Sequence, residues 1–155
     1  MTMSTTRRRR ALAVAAIAAL GAGGGGGTLL AATSHTTTAH ATLKASTEVP
    51  KPTGAGKATG SFNGTLKGKK LTWTLRFSKL SSKPAGAHIH TGARGKTGPV
   101  VVVLCGTNCR SGMKGTATLS TKLLAAMKAG KTYVNVHSTK NPSGEIRGQV
   151  KLTTR

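Results

Sequence analysis

The sequence predicts an all-β protein, an antiparallel β-sandwich or flattened barrel of about eight short strands with one short helix. Three observations carry this reading. Leu71, Trp73, Leu75 and Phe77 alternate strictly with Thr72, Thr74, Arg76 and Ser78, the pattern of a half-buried strand. Short apolar runs recur between turns rich in Gly and Pro. Glycine is abundant, at 21 residues, while aromatic residues make up only 3% of the chain. A core built on Val, Leu, Ile and Ala between many turns suits thin β-structure.

The first forty residues read as an export signal. Arg7 to Arg10 form a charged start, Ala11 to Leu20 are apolar, and Gly23 to Gly27 follow. Ala39–His40–Ala41 fits a small-residue cleavage site, which places the signal peptide at 1–41 and one domain at 42–155. An uncleaved anchor is the alternative, although a glycine run suits a membrane-spanning helix poorly. The consecutive arginines leave both general and twin-arginine export open. Either route puts the domain outside the cell, secreted or at the cell surface. His35 and His40 fall in this segment and stand outside the site argument.

In the remaining chain, Thr42 to Val49 reads as the first strand, stopped by Pro50. Ala58, Gly60, Phe62, Gly64 and Leu66 form a second, joined to the Leu71–Phe77 strand through a turn at Gly68. Ala87 to Thr91 is a strand carrying His88 and His90. Gly92 to Gly98 is a basic loop, and Val100 to Leu104 a run whose lack of alternation suits burial on both faces. Cys105 and Cys109 then read as a disulfide closing a small loop, with two free thiols or metal ligands as the alternative readings. Met113 to Leu119 is another strand. Ser120 or Thr121 caps a helix carrying Leu123, Leu124 and Met127, which Gly130 ends. Thr132 to Ser138 and Gly144 to Leu152 form a final hairpin around Asn141–Pro142.

Period-2 geometry puts His88 and His90 on one face of their strand and Ile89 on the other. Val134 and Val136 share one face of the later strand, and His137 takes the opposite one. If Ile89 and the valines point inward, the three imidazoles converge on the outer face, where they can bind copper or zinc. Polar residues on a solvated sheet are the other reading of the same histidines. In the last strand Glu145, Arg147 and Gln149 share a face, and a hairpin centred near Asn141 sets Glu145 across from His137. Glu145 is then the nearest carboxylate to support a ligand histidine, or the partner of a plain ion pair with Arg147.

The run AHIHTGARGKTGPVVVVL, followed by LLAAMKAGKTYVNVHSTKNPSGEIRGQV, resembles the CHRD domain, the chordin-type module. LKASTEVPKPTGAGKATGSFNGTL resembles its opening. The resemblance implies an immunoglobulin-like or superoxide-dismutase-like sandwich, secreted or surface exposed, with no reaction attached. The H-x-H pair with a third His before a late turn is also similar to the copper half of copper/zinc superoxide dismutases. That likeness places His88, His90 and His137 at ligand positions and Arg147 at an anion-guiding one. The sequence has no fourth histidine suited to bridging two metals, and no Asp for a zinc site.

Inventory excludes most catalysis. The chain holds only two acids, Glu48 and Glu145, far apart in sequence, against 24 Lys and Arg. Paired-carboxylate chemistry and a Ser–His–acid triad lack their parts. The GARGKTG loop has neither the spacing nor the following helix of a phosphate loop. The chain therefore reads as a binding or structural module rather than an enzyme. Its formal net charge of +22 favours anionic cell-wall or extracellular polymers as partners. The dispersed charge and scarce aromatics argue against sequence-specific nucleic-acid binding. No membrane partner is expected after cleavage, and the domain is expected to be a monomer.

Overall fold

The structure, a computed structural model, describes residues 36–155. Residues 1–35 of the segment expected to be an export signal, His35 included, lie outside the described residues. Among the described residues nine strands and one α-helix follow in order, with a short 3-10 turn (Ala45–Thr47) after the first strand: β1 (Thr37–Lys44), β2 (Thr59–Lys67), β3 (Lys70–Ser78), β4 (Pro84–Thr91), β5 (Val100–Cys105), β6 (Met113–Thr118), α1 (Thr121–Lys128), β7 (Thr132–Ser138), β8 (Ile146–Gln149) and β9 (Lys151–Thr154). The strand order is β5-β4-β7-β8-β1-β2-β3-β6, with β9 alongside β1. Every pairing is antiparallel, and the sheet curls into a nearly closed barrel around one core. This is the all-β architecture expected from the alternation.

Alternation explains where the core sits. Leu71, Trp73 and Leu75 on β3 are buried, as are Phe62 and Leu66 on β2. Ile89, Val134, Val136 and Ile146 bring the inner face of β4, β7 and β8 to the same core. Gly148 lets β8 lie close to β1, since a Cβ there would meet the Thr42 carbonyl oxygen at 2.3 Å. Helix α1 is capped as expected, the Ser120 hydroxyl accepting from the Leu123 N–H at 3.1 Å. Cys105 and Cys109 are joined as a disulfide.

Three expectations need correction. The first strand starts earlier and ends sooner than 42–49. Thr37 to Lys44 pair along their whole length with β2, and Thr37 to His40 also pair with β9. Ala39, Ala41 and Leu43 alternate inward, so the small residues that resemble a cleavage motif are core residues. The 41/42 boundary thus falls inside β1. The final strand divides at Val150 into β8, which pairs with β7, and β9, which pairs with β1. The valine run is an edge strand, with Val103 64% exposed, rather than one buried on both faces.

Candidate metal centre

Strands β4, β7 and β8 are neighbours, and their register sets side chains in rows. His88 pairs with Asn135, which pairs with Arg147. His90 pairs with Tyr133, which pairs with Gln149. These side chains occupy the outer face, opposite Ile89, Val134 and Val136. That face is not open to solvent. Asn135 and Arg147 are each 2% exposed, and Tyr133 and His90 are also buried.

The cover is the 92–99 loop. Arg147 Nη2 donates to the carbonyls of Lys96 at 2.6 Å and Ala93 at 3.2 Å. Gln149 donates to the Gly92 carbonyl at 2.8 Å, and the Gly98 N–H donates to the Tyr133 hydroxyl at 3.3 Å. At position 98 a Cβ would lie 1.8 Å from the Thr91 carbonyl oxygen, so only glycine fits this close approach.

The loop aims one carbonyl at a histidine. His90 Nδ1 lies 2.8 Å from the Gly98 oxygen, and His137 Nδ1 lies 2.9 Å from the Pro142 oxygen. A carbonyl only accepts, so both Nδ1 atoms carry the proton and both Nε2 atoms present a lone pair. His88 Nδ1 stands 3.0 Å from His137 Nε2 and donates to it. One ligand atom from each of His88, His90 and His137 falls within 4.8 Å of the others. His90 Nε2 is buried and has no hydrogen-bond partner. Two imidazoles bound to one tetrahedral metal at ~2.0–2.1 Å hold their nitrogens ~3.4 Å apart, so an ion would need the His88–His137 pair to open slightly and the wider pairs to close.

Burial, reinforced by like charge from His137 and His90, lowers His88 to about 4 from 6.5. Burial also lowers His137; the Pro142 carbonyl opposes this and His90 adds to it. His88 and His137 are therefore set up to be neutral, the form in which imidazole ligates a metal.

A stack runs behind the cluster. His90 lies parallel to Tyr133, with centroids 4.7 Å apart and 7° between planes. The Arg147 guanidinium lies 3.4 Å over the Tyr133 ring. Arg147 thus holds His90 twice, through the ring stack and through the loop that carries the Gly98 carbonyl.

The three histidines singled out in the sequence come together. Glu145 sits at its expected register beside His137, its N–H donating to the Val136 carbonyl. Its carboxylate, however, accepts from the Ser81 N–H and hydroxyl and from the Asn141 amide, not from a histidine. Burial pushes that carboxyl up, but hydrogen bonds from Ser138, Ser81 and Asn141 outweigh it and hold the group below its ordinary value. The Pro142 carbonyl takes the place expected of Glu145. Tyr133 and Asn135 were legible but missed: with His137 they form a period-2 set on one face.

Comparison with known families supplies the last observation. The CHRD domain matches residues 39–150. The chain belongs to the CHRD-domain family. No curated protein and no solved structure matches it. The CHRD match begins inside β1 and takes in all three histidines. Membership supports a binding or structural module, and CHRD domains occur in extracellular proteins. Among the described residues, no helix is long and apolar enough to cross a membrane.

Proposed function

We propose that this CHRD domain is a secreted or surface-exposed module that binds one Cu(II) ion through His88, His90 and His137. The observation that carries the reading is His90 Nε2, a buried lone pair without a partner, facing two further imidazoles. An unsatisfied buried polar atom costs about 1–3 kcal/mol, a cost that a bound ion removes. The carbonyls of Gly98 and Pro142 fix which nitrogens are offered, the arrangement by which supporting groups orient ligand histidines. Uptake at His88 Nδ1 requires its proton to move to Nε2. Three imidazoles with no thiolate and no carboxylate suit copper best among divalent ions, with zinc next. Three protein ligands leave a position open to water or to a group from a partner, which suits a binding module.

The test is a titration of the full chain with Cu(II) and with Zn(II), beside His88→Ala/His137→Ala. The expected result is near-stoichiometric Cu(II) binding, tighter than Zn(II), that the double variant loses. Equal binding by both proteins, or none, leaves the histidines as structural residues holding the 92–99 and 139–145 loops. The reading would then be that of a metal-free module.

A further inference from the structure

Beyond the stack, the outer face continues onto β8, β1 and β9. There it holds a cavity of about 310 Å³ whose polar lining includes Lys44, Arg94, Arg147, Lys151, Gln149 and His40. Four of these are permanent cations, drawn from β1, the 92–99 loop, β8 and the start of β9. Lys44 is the register partner of Arg147. Bringing four like charges together from distant parts of a chain is unfavourable unless something neutralises them.

The protein itself supplies little of that charge. Neither of the two acids lines this cavity. Glu48 lines an adjoining groove and interacts with the Arg147 charge, but burial pushes its carboxyl up to about 7, and Glu145 is held by Ser81 and Asn141. Arg147 at the cavity wall is 2% exposed, and its Nη1 has no hydrogen-bond partner. The Gln149 amide and the His40 ring are already occupied, the first with Gly92 and Gly130, the second with Asn63 and Thr42. One carboxylate that burial holds partly protonated cannot balance four cations, so most of the counter-charge is external.

We infer that this cavity is an oxyanion site that takes a phosphate group, free or as a monoester. The planar fork of Arg94 matches two phosphate oxygens, and Lys44 and Lys151 add mobile point charges at the rim. Arg147 supplies a fixed charge at the wall. The site does not depend on the copper reading, because none of its cations touches a histidine of the cluster.

The test uses the full chain with a chelator present, so that metal cannot bind the anion. Inorganic phosphate and glycerol 3-phosphate are titrated at constant ionic strength into the wild type, Arg94→Gln/Lys151→Gln and Lys114→Gln/Lys128→Gln. The second pair removes the same charge from β6 and α1. One saturable site is expected, weakened about tenfold or more in the first pair and unchanged in the second. Tighter binding of inorganic phosphate assigns the site to the free ion, and tighter binding of glycerol 3-phosphate to an esterified group. Equal weakening in both pairs, or no saturation, overturns the proposal by reducing the effect to bulk charge. Circular dichroism of each variant establishes that the fold is intact.

Discussion

His88 and Glu48 carry two opposite proton equilibria, and both are measurable. His88 is lowered to about 4 from 6.5 by burial and by the neighbouring imidazoles. Protons therefore compete for this nitrogen only well below the ordinary histidine range. Bound Cu(II) is expected to survive as pH falls through 6.5 and to be released closer to 4, as followed by electron paramagnetic resonance; release centred near 6.5 would count against ligation by a buried cluster. Glu48 behaves oppositely. Burial raises its carboxyl to about 7 from 4.5, against the Val49 N–H and the Arg147 charge. Between those values the folded chain holds a proton that the unfolded chain has lost. Stability contributed by this group is full below about 4.5, declines as pH rises, and is gone above about 7. Glu48→Gln is thus expected to gain stability relative to wild type on going from pH 5 to pH 8, by about 2–3 kcal/mol, measured by urea denaturation at both values. A difference that does not change with pH would show that Glu48 is ionised in the folded protein.

At the scale of elements, the site is a product of β4, β7 and β8 and of the loop folded over them. Tyr133 is the joint, with His90 on one side and Arg147 on the other. Tyr133→Leu keeps an apolar side chain on the strand but removes both stacking contacts. The expected cost is about 1–3 kcal/mol of stability, and Cu(II) affinity should fall about 10–100-fold, both read from one thermal and titration series. Unchanged affinity would show that the Gly98 carbonyl alone orients His90. The histidine pair was legible because a strand's period is two and cannot be disguised. The β2–β3 hairpin was legible for the same reason, since Leu71, Trp73, Leu75 and Phe77 on β3 are large and alternate strictly with polar residues. Glu145 was placed at the right register, yet its partner was misjudged, because Ser81 and Asn141 arrive from loops that no local pattern specifies. The burial of Tyr133, Asn135 and Arg147 was hidden likewise: an outer face looks solvated until the 92–99 loop is seen to cross it. In β1 the inward residues include Ala39 and Ala41, and two alanines around a histidine carry a weaker strand signal than a cleavage signal.

That ambiguity has a consequence for the molecule as a whole, because β1 is the strand on which the barrel is assembled. It joins β2 on one side and β8 and β9 on the other, so it links the two halves of the strand order. A chain beginning at Thr42 keeps Thr42 to Lys44, the segment that pairs with the start of β2 and with Arg147. It loses Thr37 to Ala41, and with them every β1 partner of β9. Ala39 and Ala41, each 1% exposed, leave the core, and the inner face of β9 loses its cover. Each ladder hydrogen bond contributes about 0.5–1.5 kcal/mol and each buried methyl about 0.8 kcal/mol, so the loss is several kcal/mol out of a typical 5–15. A chain beginning at Thr36 keeps all of these contacts. Comparing the two by thermal unfolding should show the Thr42 form melting at least ~10 °C lower or failing to fold, while the Thr36 form matches a chain that retains further upstream residues. Equal melting temperatures would mean that the 37–41 segment adds nothing to the barrel, and that processing after Ala41 leaves a complete domain. The expected result instead places any functional N-terminus upstream of β1, with His40 retained beside the cationic cavity.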